Sequence, residues 1–351
     1  MLTNIFLQNL WLKAIICFLF SFLISFFSIK KYIKFIQEKS KFFQPIREDG
    51  PQSHIKNKKN TPTMGGIFII LPTILTTILF IDIYNRYILV CLVIMTTFAI
   101  IGLIDDLLKV VYKNPKGFKG SFKIVIQFFT ICLSFLWLGI IDPIHFENKI
   151  FIPVDNGHYL VLGIIFYILF VNFVIVGTSN AVNLTDGLDG LVSVPAIINL
   201  ICLIFLIYCS SNIDFANKFE VPYIKFTGEL IFLCLAMMAS IIAFLIFNKK
   251  PAKIFMGDVG SLGIGSFLGL IAIIIKQEII FFTISLLFVI EALSVILQVC
   301  SYKIRKKRIF LMAPLHHHFE KKGWSENKVV KSFWIFSFVS AVLAMIILVS
   351  I

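Results

Sequence analysis

Five aspartates stand out in a chain otherwise poor in charge: Asp105 and Asp106 in GLIDDLLK, Asp186 and Asp189 in NAVNLTDGLDGL, and Asp258 in FMGDVGSLG. Each lies within a few residues of the end of an apolar run. Adjacent carboxylates such as Asp105-Asp106 repel, so they need a cation close by. Lys109 follows at helical spacing and supplies a plain ion-pair account. A second account is a divalent metal. Clustered carboxylates without paired His or Cys are hard oxygen donors, which suit Mg²⁺ or Mn²⁺.

Other polar groups join these acids. Segment 177–190 carries Asn180 and Asn183 beside Asp186 and Asp189, and holds no Lys or Arg. Helix capping accounts for one Asp there, but not for two Asn and two Asp together. Around Asp258, glycines 257, 260 and 263 allow close approach of backbone to a ligand, and the N–H groups opening the next helix could receive phosphate oxygens. Lys58, Thr61, Thr63 and the Gly65-Gly66 pair form a basic, hydroxyl-bearing string that suits a phosphate; the lysines alone are also explained as a charged flank. Residues 313–324 read APLHHHFEKKGW. His316, His317 and His318 cannot all face one way, and HHH is not a zinc spacing. Imidazoles there could bond a phosphate or a sugar, or simply line an interfacial loop.

What positions these residues follows from composition. The 351 residues are 59% hydrophobic and 15% charged, with mean hydropathy +0.95. That excludes a disordered chain and leaves too little polar surface for a soluble globule. Barrel-type alternation is missing. Ten apolar runs are predicted as spans: 10–29, 66–83, 87–104, 124–141, 159–176, 191–209, 226–247, 262–276, 279–300 and 332–351. The first lacks a small-residue cleavage site and is followed by a basic block, as in a retained anchor. The fold class is therefore an all-α integral membrane protein, residues 1–351 forming a single polytopic domain.

The net charge of +13 reads as topology rather than nucleic-acid binding. Loops 30–65, 105–123, 177–190, 248–261 and 301–331 hold 9, 5, 0, 3 and 9 Lys+Arg, against 1, 1, 2 and 1 in the intervening loops. The basic set faces the cytoplasm, which puts both termini outside. All the polar motifs fall in that same set. Metal-binding carboxylates, lysines and histidines at a membrane surface suggest phosphoryl transfer between a soluble donor and a lipid acceptor. The intervening loops carry no evident chemistry, although 144–154 suits a small β-hairpin. The seven cysteines lie in apolar runs and read as buried hydrophobes.

TPTMGG, GLIDDLLK, NAVNLTDGLDGL, FMGDVGSLG and APLHHHFE together resemble the polyprenyl-phosphate N-acetylhexosamine-1-phosphate transferase superfamily. TPTMGG and the histidine segment point to its phospho-N-acetylmuramoyl-pentapeptide-transferase branch. The resemblance implies transfer of phospho-N-acetylmuramoyl-pentapeptide from UDP-N-acetylmuramoyl-pentapeptide to undecaprenyl phosphate, giving lipid I and UMP. It implies Mg²⁺ on Asp258, and Asp105 deprotonating or orienting the lipid phosphate with Asp106 in support. Asn183 and Asp186 would hold ribose and phosphate; Asp189 and Phe255 would hold uracil. Lys58, Thr63, His316, His317 and His318 would line the nucleotide and pyrophosphate site. It also implies a homodimer in a bacterial inner membrane. Direct attack and an aspartyl-phosphate intermediate both stay open. The rival readings are a sister enzyme using another UDP-N-acetylhexosamine and a transporter of an anion. Glu291, an acid inside the ninth run, is the one residue that fits transport, with helix packing as its plain alternative.

Overall fold

The computed structural model describes residues 9–39, 61–112, 117–141, 147–153 and 158–350. Lys58 lies outside them, as does much of loop 30–65. The helices are α1 (Leu10–Lys39), α2 (Ile67–Phe80), α3 (Arg86–Val111), α4 (Gly120–Ile141), α5 (Ile164–Thr185), α6 (Ser193–Ser211), α7 (Ile213–Lys218), α8 (Leu230–Asn248), α9 (Gly257–Ile274), α10 (Glu278–Ile284), α11 (Leu286–Arg305), α12 (Leu315–Lys321) and α13 (Glu326–Val349). Strands β1 (Lys149–Ile152) and β2 (His158–Val161) pair antiparallel, Lys149 opposite Val161. The hairpin expected at 144–154 therefore forms, but its second strand lies further along the chain.

Among the described residues, nine helices are long and apolar enough to cross a bilayer. The second predicted span, 66–83, is α2, only 14 residues. At 1.5 Å per residue it covers about 21 Å, short of a hydrocarbon core of about 30 Å. Pro72 sits inside it, and Thr73, Thr76 and Thr77 turn their hydroxyls back onto the carbonyls of Ile69, Pro72 and Thr73 at 2.7–2.8 Å. The ninth run is interrupted too. It divides into α10 and α11 at Ser285, whose hydroxyl donates to the Phe281 carbonyl at 2.7 Å.

The centre of the bundle is α9. Every residue from Val259 to Ile274 is buried, and the helix packs on α3 and α5. Glycine makes this possible: a Cβ on Gly66 would overlap the backbone of Gly260. The outer helices expose large apolar side chains, such as Phe173, Leu133 and Ile335, as lipid-facing surfaces do. A smaller apolar cluster stands apart from the main core. Leu188, Leu191, Leu287, Val329, Val330 and Phe333 form it, seated beneath the turn that follows α5.

Candidate active site

The segment predicted as loop 177–190 is mostly helix. α5 continues to Thr185, so Asn180 and Asn183 ride on its last turns, and only the residues from Asp186 onward form a turn. This corrects the expected boundary; the polar composition of the segment hid a helix end that packs inward on α9. Asp186 terminates α5 rather than capping the start of α6, whose N-cap is Val192. Likewise Asp105 and Asp106 do not end α3, which runs on to Val111.

These helix ends meet. One carboxylate oxygen from each of Asp105, Asp106 and Asp258 lies within 4.8 Å of the others. Asp105 and Asp106 are buried, and Asp258 is partly so. Two lysines close the cluster. Lys109 Nζ is 2.6 Å from Asp105 Oδ2 and 2.9 Å from Asp258 Oδ2. Lys123, from the first turn of α4, is 2.8 Å from Asp105 Oδ1 and 3.6 Å from Asp258 Oδ2. The Phe118 amide also donates to Asp105 Oδ1, at 2.5 Å. On the far side, Asn183 Nδ2 donates to Asp258 Oδ1 (2.9 Å) and to Ser261 Oγ (2.8 Å).

Gly257 lets this happen. Its φ of +75° belongs to the left-handed region, and a Cβ there would strike the Asp106 carboxylate. Asp106 Oδ2 accepts the Val259 amide at 3.2 Å, while Oδ1 is buried with no hydrogen-bond partner among the described residues. A buried carboxylate oxygen without a donor is costly. Three such acids against two lysines leave net negative charge. Oxygen donors, an orphaned oxygen and unbalanced charge together fit a hard divalent cation. The acidic cluster could hold a metal ion.

The other predicted residues assemble around this cluster. Pro62 and Gly65 bracket Phe255: the Phe255 amide donates to Pro62 O and the Gly65 amide to Phe255 O, both at 2.8 Å. Gly66 N–H bonds Met256 O at 2.8 Å. TPTMGG and FMGD are thus stitched side by side, with Thr63 buried between them and its carbonyl accepting from Tyr32. Asp189 is buried, and its Oδ2 accepts the Ala252 amide at 3.0 Å, which ties the 186–190 turn to the segment that presents Phe255. The histidines diverge on α12. His316 is buried, His317 meets Glu320 at 2.8 Å, and His318 Nδ1 accepts the Leu311 amide at 3.1 Å. Burial, with Lys322 in support, lowers the His318 pKa below the usual imidazole value.

Several participants were missed in the sequence. Lys123 counted only as loop charge, 18 residues from Asp105, and nothing in its surroundings marked it. Ser261 gives no local sign that it meets Asn183. Glu326 Oε1 accepts the Asp189 amide at 3.1 Å while Oε2 pairs with Lys250 at 2.9 Å, a link across three segments that no local pattern announces.

Comparison with known proteins decides the family. A model described as Glycosyl transferase family 4 matches residues 88–276, and one described as Phospho-N-acetylmuramoyl-pentapeptide-transferase signature 1 matches residues 58–70. A phospho-N-acetylmuramoyl-pentapeptide-transferase of Rickettsia prowazekii (strain Madrid E) is 46% identical over 323 residues, covering 92% of this chain and 89% of the relative. The chain belongs to the phospho-N-acetylmuramoyl-pentapeptide-transferase family. A further member, from Aliarcobacter butzleri (strain RM4018), is 43% identical over 97% of this chain and 95% of its own length. The family signature at 58–70 covers TPTMGG, and the larger family match contains every carboxylate of the cluster.

Proposed function

We propose that the chain transfers phospho-N-acetylmuramoyl-pentapeptide from UDP-N-acetylmuramoyl-pentapeptide to undecaprenyl phosphate, forming lipid I and releasing UMP. The observation that carries this reading is the cluster of three acids, two lysines and one amide at the ends of four helices that also span the bilayer. A phosphorylated lipid and a soluble nucleotide can meet there. A transporter would place its polar site near mid-membrane on broken helices, whereas Asp105 and Asp106 lie in the last two turns of α3 and Asp258 in the first turn of α9.

Asp258, held by Asn183 and approached by Asp105 and Asp106, is the ligand we assign to Mg²⁺. Bound there, the ion would neutralise charge developing on the diphosphate. Asp105, backed by Asp106, deprotonates or orients the lipid phosphate. Lys109 and Lys123 attract the same phosphate and hold Asp105 in register. Asn183 and Asp186 bind the ribose and phosphate region. Asp189 and Phe255, on adjoining segments, take uracil by hydrogen bond and stacking. Thr63, Lys58 and the histidines complete the donor side. Fixed cations and amides aimed at the transferring group lower the barrier without reorganising. Counting the short α2 as a crossing keeps a ten-span arrangement, with site loops in the cytoplasm of a bacterial inner membrane and both termini outside, and the charge asymmetry supports it. The family likeness adds a homodimer.

The test is purified protein with Mg²⁺, undecaprenyl phosphate and UDP-N-acetylmuramoyl-pentapeptide, scored for UMP and lipid product. UMP release only with UDP-N-acetylglucosamine would move the assignment to a sister transferase, and release with neither donor would remove it. Mass photometry in nanodiscs checks the dimer.

A further inference from the structure

Glu291 is fully buried within an apolar helix, and its carboxylate has a specific partner. Oε1 accepts the backbone amide of His316 at 3.1 Å, and Oε2 lies 3.0 Å from His316 Nδ1. One acid therefore holds both the main chain and the ring of the first histidine in HHH. His316 is itself buried, and its other nitrogen, Nε2, has no hydrogen-bond partner among the described residues. That nitrogen is packed against Gly187: a Cβ at position 187 would collide with it. Gly187 lies between Asp186 and Asp189 in the turn at the donor end of α5.

We propose that Glu291 is a positioning residue of the donor site, acting through His316 on the turn that carries Asp186 and Asp189. The inference rests on the donor-site reading above. Its physical content is narrow. A carboxylate facing Nδ1 makes that nitrogen the protonated one and fixes the plane of the ring. Nε2 then presents a lone pair toward the turn, and the ring edge serves as the floor under Gly187. The small apolar cluster of Leu188, Leu191 and Phe333 supports the same turn. The Glu326 carboxylate holds the Asp189 amide from another direction. Asp186 and Asp189 thus stand on a platform fixed on three sides, one of which is the Glu291–His316 pair. This gives the acid inside the ninth run a task that needs neither transport nor simple packing.

Glu291→Gln separates these roles. It keeps the shape and an oxygen as acceptor for the His316 amide, which leaves its NH₂ donor opposite Nδ1. The proton moves to Nε2, and a hydrogen is forced between the ring and Gly187. In nanodisc-embedded full-length protein with ¹⁵N-labelled histidine, the native His316 ring should give the Nδ1–H pattern and Glu291→Gln the Nε2–H pattern. UMP affinity by calorimetry and KM for the UDP donor should each worsen about 10- to 100-fold, the scale on which removing the orienting carboxylate behind a metal-bound histidine acts. KM for undecaprenyl phosphate should stay within about twofold. Gly187→Ala, made independently, should reproduce the donor defect, and the double variant should be no worse than the poorer single one. Additive effects, an unchanged tautomer, or equal damage to both substrates would overturn the proposal. Wild-type protein that neither binds UMP nor turns over the donor would instead defeat the donor-site reading. The ring signals and the Gly187 amide shift still decide the Glu291–His316–Gly187 coupling in that case.

Discussion

The two ends of α9 each bury charge, and they handle it differently. At its start, Asp258 meets Asp105, Asp106, Lys109 and Lys123 through side chains. Just past its other end, Lys276 donates to two main-chain carbonyls, Glu147 O at 2.5 Å and Lys149 O at 3.1 Å, and to the Tyr167 hydroxyl at 3.1 Å. Backbone carbonyls are permanent partners. They fasten the β1–β2 hairpin to the bundle and leave that lysine nothing else to do. Side-chain carboxylates can exchange partners, and one of them, Asp106, keeps an oxygen without a donor. The lysine at the hairpin end is held by main chain, although Glu278 beside it keeps both carboxylate oxygens without a hydrogen-bond partner among the described residues; the charges at the other end are balanced by side chains that can let go.

The largest expected effect falls at the first end. Asp258→Asn removes one anionic ligand while keeping shape and the Asn183 contact. UMP release should fall by about 10³-fold or more, the scale on which losing electrostatic stabilisation of the transferring group acts, with the folded helical signal intact. Near-normal kcat in this variant would place the metal elsewhere. Removal of divalent cations with excess EDTA should do the same to the native protein and be reversed by added Mg²⁺. Full turnover in EDTA would sink the metal assignment.

Next in size is Phe255→Ala. Base–aromatic stacking is worth about 1–3 kcal/mol per base, so KM for the UDP donor should rise about 5- to 150-fold. Apparent affinity for undecaprenyl phosphate should hardly move, because its tail enters from the bilayer. Phe255→Trp keeps a π-face and should be tolerated far better. An alanine variant that spares the donor and weakens lipid use would relocate Phe255 to the lipid path.

Much of the site was legible because its residues break the pattern around them. A stretch without Lys or Arg in a lysine-rich set of loops, an Asp pair inside leucines, and glycines opening a helix all stand out by composition. The five motifs come from five separate stretches, and three of the acids do converge. What stayed hidden depends on tertiary contact. Lys123 reaches Asp105 only because α4 starts beside the end of α3. Glu291 finds His316 across 25 residues and a change of direction. The end of α5 was misplaced because polar residues facing a neighbouring helix read as loop when taken alone. The run 66–83 reads as a full span, whereas α2 starts only after the Gly65-Gly66 turn and stops at Phe80.

The smallest effect on turnover belongs to the hairpin end, and it concerns stability. Burial outweighs the nearby Glu278 and Glu147 and pushes the Lys276 ammonium from 10.5 down to about 8. Burial also pushes the Glu278 carboxyl from 4.5 up to about 7, against the pull of its own amide and of Lys276. The signs oppose. Between about pH 4.5 and 7 the folded state binds the extra proton at Glu278, so its contribution to stability falls as pH rises. Between about pH 8 and 10.5 the unfolded state binds the extra proton at Lys276, so its contribution rises with pH. Thermal unfolding of detergent-solubilised protein should therefore show this pair at its least stabilising near pH 7–8. Lys276→Met paired with Glu278→Gln should flatten that part of the profile. Lys276→Met alone strands the carbonyls of Glu147 and Lys149, at about 1–3 kcal/mol for each group left unsatisfied. Its Tm should drop while kcat and both KM values at permissive temperature stay native. A catalytic defect at matched stability would mean that the two ends of α9 are coupled, and the contrast between them would fail.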